Sequence, residues 1–102
     1  MGLSRLSKET EKRIDLLFAA DKRERVRTIL LNECGNNLPF LQNADEDELN
    51  RFRFAALKIS DGDLGRLDEA IRLAKSDWRD LLVAAGFAHN RRVHTRWLPE
   101  QR

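Results

Sequence analysis

Apolar side chains recur along this chain at spacings of three and four, in five short runs separated by Gly, Pro, Asn or Asp. That rhythm matches one face of an α-helix and leaves little room for the strict alternation of a half-buried strand. Ser7 is placed to cap a first helix, with Glu9 and Glu11 at its positive end and Ile14, Leu17 and Phe18 on one face. Asp21, three residues before Glu24, reads as the start of a second helix whose stripe is Val26, Ile29, Leu30 and Cys34, with Gly35 as the residue that ends it. Pro39 opens a short turn carrying Leu38, Phe40 and Leu41. A third helix is expected from about Asn43 to Asp45 onward, with Leu49, Phe52, Ala56 and Ile59 facing inward.

Asp61-Gly62 is a turn signal, and Asp63 caps a fourth helix that aligns Leu64, Leu67, Ala70, Ile71 and Ala74. Ser76 or Asp77 caps a fifth, in which Trp78, Leu81, Leu82 and Ala85 pack and Gly86 stops the helix. Phe87 follows where a Schellman ending places its apolar contact. The run Leu81–Ala85 is apolar enough for a buried strand, but its cap, its glycine and its alanines favour helix. Ala, Glu, Lys, Leu and Arg supply 53 of the 102 residues, while Val, Ile and Thr number ten and Tyr is absent. Both counts agree with helices. The expected fold is all-α, a compact orthogonal or bundle-like array of four to five short helices in residues 1–87, followed by a basic tail in residues 88–102 that is docked or partly flexible.

Several function classes find no support. No apolar run approaches the roughly 18 residues that span a bilayer, and the N-terminus lacks the apolar core of a secretion signal. Met1-Gly2 opens like a myristoylation site, but Leu6 stands where that motif needs Ser or Thr. A cytoplasmic location follows as the expectation. Cys34 is the only cysteine, so neither an internal disulfide nor a thiolate cluster can form, and its place on an apolar stripe marks a small core residue. His89 and His94 are five apart with no second ligand type beside them. Asp61-Gly62-Asp63 resembles the start of a calcium loop, but Leu64 and Gly65 follow where oxygen ligands belong and Arg72 replaces the closing Glu. The acidic run Asp45–Glu48 is accounted for by a helix start. The expectation is therefore no catalytic residue, no metal and no cofactor.

Charge is unevenly spread: residues 36–87 carry seven basic and ten acidic groups, residues 88–102 four and one. In the tail, Arg91, Arg92 and Arg96 can grip phosphates and Trp97 can stack on an unpaired base, which makes nucleic-acid binding the alternative function. Against it, Trp97-Leu98-Pro99 also suits an apolar plug that docks onto a helical core. A helix-turn-helix reading centred on Lys75-Ser76-Asp77 fails because the second helix opens with two carboxylates and is then mostly apolar.

Four large apolar residues, Leu16, Leu31, Phe54 and Leu73, lie outside the main stripes of their helices. A central helix surrounded by others explains such residues, and so does a face shared with a second copy or a partner. The leading expectation is a non-catalytic helical interaction module that binds itself or another protein, with these four as the candidate interface. Finally, Glu33-Cys34-Gly35-Asn36-Asn37-Leu38-Pro39 and Asp77-Trp78-Arg79-Asp80-Leu81-Leu82-Val83-Ala84-Ala85-Gly86-Phe87 resemble segments of small uncharacterised bacterial all-helical proteins. The resemblance implies a bacterial, cytoplasmic origin and brings no activity, cofactor or site residue with it.

Overall fold

The computed structural model describes residues 6–99, so the Met1-Gly2 pair and the last three tail residues, Arg102 among them, lie outside the described residues. Five α-helices form: α1 (Lys8–Leu17), α2 (Ala20–Glu33), α3 (Glu46–Ser60), α4 (Leu64–Ser76) and α5 (Trp78–Ala85). Single 3-10 turns cover Pro39–Leu41 and Val93–Arg96, and no strand occurs among the described residues.

Four helix starts are set by short oxygen-bearing side chains that accept the first free amides. Ser7 accepts from the Thr10 amide, Asp45 from Glu48, Asp63 from Gly65 and Arg66, and Asp77 from Arg79 and Asp80. The Asp61-Gly62 turn holds two successive positive φ angles, +47° and +84°. At the end of α5, Gly86 takes φ +79°, the Phe87 amide donates back to the Leu82 carbonyl at 2.8 Å, and Phe87 tucks into the core. That is the Schellman ending its sequence describes.

One expected boundary moves, and one expected helix ending keeps its place but takes another form. α2 starts at Ala20, with Ala19 in the cap position and no side-chain cap, so Asp21 sits inside the first turn rather than ahead of it. Only Phe18 and Ala19 separate α1 from α2, and neither offers a side-chain cap. Arg23 instead reaches back to the last carbonyls of α1, donating to Phe18 at 2.9 Å and Asp15 at 3.0 Å. Gly35 is not a left-handed helix end either; α2 closes at Cys34. Glycine is needed there for space, because a Cβ would lie 2.8 Å from Nη2 of Arg53, whose Nε donates to the Cys34 carbonyl at 2.9 Å.

α3 is the axis of the domain. Six consecutive residues, Phe52 to Leu57, are all buried, more than one full turn with no face left to water. α4 and α5 cover one side of it, α1 another, and the Val93–Arg96 turn packs on a third. Burial of so many Leu, Ile and Phe side chains, each worth about 1.5–3 kcal/mol, is the main force holding the array together.

Candidate interaction surface

The four residues outside the helical stripes do not form one exposed patch. Phe54 is 2 % exposed and belongs to the core, because α3 is wrapped on every side. The sequence expectation that Phe54 contributes to an interface is thus corrected: the surrounded-helix explanation is the right one for it. Leu73 is half-buried against the core from α4, Leu31 is half-buried on α2, and Leu16 is half-buried at the end of α1. Leu16 lines a cleft of about 440 Å³ with Leu17, Lys58, Asp61, Trp97, Leu98 and Pro99.

The described part of the basic tail, residues 88–99, is docked, and a buried cation docks it. Arg13 on α1 is 1 % exposed and fans its guanidinium across the chain end. Its Nε and Nη2 donate to the Trp97 carbonyl at 3.1 and 2.8 Å, and Nη2 also meets the Thr95 carbonyl at 3.4 Å. Nη1 donates to the carbonyl and carboxylate of Glu9 at 2.8 and 3.0 Å. The guanidinium plane lies 3.9 Å over the Phe54 ring, a desolvated cation–π contact. His94 is 0 % exposed between the rings of Phe54 and Phe87, with Nε2 3.3 Å from Asp47 Oδ1 and neither ring nitrogen in a hydrogen bond among the described residues. Burial pushes its pKa below the ordinary imidazole value, while the Asp47 carboxylate pulls the other way.

Docking decides what the tail candidates can do. Trp97 packs against Phe54 and Phe87, with ring centroids 6.3 and 6.2 Å away, as an apolar plug would, and it stays half-exposed along the cleft beside Leu16. Arg91, Arg92 and Arg96 remain exposed, and Arg91 lies 3.7 Å from Glu48.

A different surface carries two of the three large apolar side chains exposed among the described residues; the third, Leu98, lines the cleft beside Leu16. Trp78 is 37 % exposed and Val83 is 65 % exposed, and both line a groove of about 520 Å³ beside α5. Its remaining lining is Leu82, Ala88 and three arginines: Arg51, Arg79 and Arg91. The groove has a rigid aromatic back wall. Trp78 stacks on Phe40 at 5.7 Å and meets the edge of Phe52 at 5.9 Å, with those two phenyl rings 5.0 Å apart. Arg51 is fixed from α3 by donating to the carbonyls of Phe87 and Ala88 at 2.8 and 3.4 Å, and its Nε is buried without an acceptor. The Arg79 guanidinium sits 5.2 Å over its neighbour Trp78. Among the described residues neither Arg51 nor Arg79 has a carboxylate partner.

Of these residues the sequence points only to Arg91 as a partner contact. Trp78, Leu82 and Val83 all stand in a helix taken for a packing element. Val83 did carry a signal: at 100° per residue it falls 100° beyond Leu82, the nearest member of its helix's stripe. Arg51 gave none, because its place depends on the chain ending of α5.

Two titratable groups away from these surfaces, Cys34 and Arg53, sit in the core. Burial pushes the Cys34 thiol up to about 12, with the Arg53 cation opposing, so it stays protonated. Among the described residues no three His, Cys, Asp or Glu side chains gather as a possible metal site, and no helix is long and apolar enough to cross a membrane. No protein-family model, curated protein or solved structure matches this chain.

Proposed function

We propose that this protein is a non-catalytic helical interaction module of the bacterial cytoplasm that holds a protein partner against α5. One observation carries the reading: Trp78 and Val83, two of the three large apolar side chains exposed among the described residues, line the same groove, while the third, Leu98, lies apart in the cleft beside Leu16. Exposed apolar groups rimmed by polar ones are the common mark of a protein contact surface. Aromatic and arginine side chains are also the types that dominate binding energy in such surfaces. Trp78, braced by Phe40 and Phe52, would lose little freedom on binding.

The test is capture from the native host with the intact chain and with Val83→Asp, followed by mass spectrometry. A partner retained by the intact chain and lost from the variant, with identical circular dichroism for both, is the expected result. The same proteins recovered with both chains would refute a contact through α5.

The exposed Arg91, Arg92 and Arg96 favour a second reading, phosphate-backbone contact with a nucleic acid. It predicts copurifying material that absorbs at 260 nm and is shed in high salt. Arg92→Ala with Arg96→Ala would weaken such binding and leave the α5 groove intact, whereas Val83→Asp would do the reverse. Equal nucleic-acid binding by the double variant would end this reading.

A further inference from the structure

The groove beside α5 also has a chemistry that selects its occupant. Its lining presents three guanidinium groups and no carboxylate around an apolar floor of Trp78, Leu82 and Val83. The carboxylates nearby are committed or distant from the lining. Asp77 caps α5 by accepting two backbone amides, and Glu48 faces Arg91 at 3.7 Å. Asp80 is exposed on the helix but does not line the groove. Among the described residues Arg51 and Arg79 form no ion pair, although Arg51 already donates to two carbonyls, and Arg91 offers charge that is only loosely paired.

Size narrows the choice further. α5 has eight residues and is about 12 Å long, and with a helix width of about 10 Å it offers a narrow strip. A stable dimer interface hides about 800 Å² on each partner, several times what this strip provides even with Arg51, Ala88 and Arg91 added. A second copy pairing through α5 falls well short. An extended segment covers the same 12 Å with about four residues.

We infer that the groove binds a short acidic peptide segment of a partner protein, with one large apolar side chain seated between Trp78 and Val83 and flanking carboxylates held by Arg79, Arg91 and Arg51. This rests on the reading of α5 as a partner surface and adds the chemical class of the partner. The aromatic anchor and arginine rim divide the work. Burial of the anchor gives most of the affinity, and the guanidinium groups choose acidic over basic sequences and speed the encounter.

The experiment is selection from a displayed library of random peptides of about ten residues, long enough to outspan the groove. The full chain and an Arg79→Glu/Arg91→Glu double variant serve as targets; both changed residues are exposed, and circular dichroism confirms the fold. Peptides enriched on the intact chain are expected to combine a Leu, Phe, Trp or Ile with at least two Asp or Glu. Their synthetic forms should bind about tenfold more weakly to the double variant and to intact protein at raised salt, and should shift Trp78 fluorescence. Enrichment of basic peptides, or of apolar peptides indifferent to the charge reversal, would overturn the acidic class. No enrichment at all would overturn it too, and so would a dimer in sedimentation that Val83→Asp dissolves. Labelled single-stranded oligonucleotide that competes for the groove would replace it with a nucleic-acid site. Loss of a native partner on Val83→Asp, with none of the peptide results, would spare the partner surface and remove only its proposed chemistry.

Discussion

Arg13→Met is the substitution that most directly tests how the chain end is held. Methionine keeps the length and apolar character of the buried stem but removes every donor, leaving the Trp97 and Thr95 carbonyls without their cationic partner. A hydrogen bond to a charged group contributes about 1.5–3 kcal/mol, and two tail carbonyls lose theirs. Part of that loss is returned, because a buried cation no longer has to be stripped of water. The net destabilisation is about 2–4 kcal/mol, which for a domain of this size lowers Tm by about 10–25 °C. Calorimetry gives the size of the effect, and brief trypsin digestion gives its place. Cleavage after Arg91, Arg92 and Arg96 should accelerate well before cleavage after Arg66 or Arg72 inside α4. A Tm within about 2 °C of wild type, with unchanged digestion of the tail, would refute the assignment of Arg13 as the group that holds it.

Three further expectations concern the core. His94 is held neutral by burial, so the unfolded chain takes up a proton near pH 6.5 before the folded one does, and stability falls as pH drops below that value. The slope should be positive and stay below about 1.4 kcal/mol per pH unit, and His94→Leu should reduce it; urea unfolding at pH 7.5 and 5.5 on both chains decides the matter, and equal pH dependence would sink it. Phe54→Ala should cost about 3–5 kcal/mol and Phe54→Asp should abolish the helical circular-dichroism signal, whereas a folded, merely monomeric Phe54→Asp would mean Phe54 lies on the surface after all. Cys34 should resist a thiol-specific chromogen in the native state and react at once in denaturant, because it is both enclosed and protonated; rapid native labelling would contradict its burial.

How much of this was legible in the sequence follows the range of each interaction. Ser7, Asp45, Asp63, Asp77 and Gly86 bond to amides or carbonyls within five residues, and each marks its helix end as the sequence indicates. Ala19 left no such mark, since nothing caps α2 from its own side, and the group that seals the α1–α2 joint is Arg23 reaching backward. Gly35 was assigned the right residue type for the wrong reason: the guanidinium it makes room for comes from 18 positions downstream. The burial of Arg13 and His94 was not legible, because charged and polar residues on a helix or in a tail read as solvent-facing until their distant partners are known. The groove fell between these cases. Val83 breaks the stripe of its helix visibly, but the arginines that give the site its character arrive from three separate segments.

The latch between Arg13 and the Trp97 carbonyl spans 84 residues, which gives the molecule a timetable as well as a shape. A ribosome adding about 5–20 residues per second makes the cation some 4–17 s before the oxygen that receives it. In the later part of that interval the rings of Phe54, made 43 residues before Trp97, and of Phe87, made 10 before it, wait uncovered on one flank. The newborn chain is therefore most vulnerable to aggregation just before the seal arrives, and a nascent-chain series stalled on either side of Trp97 would capture the moment of closure.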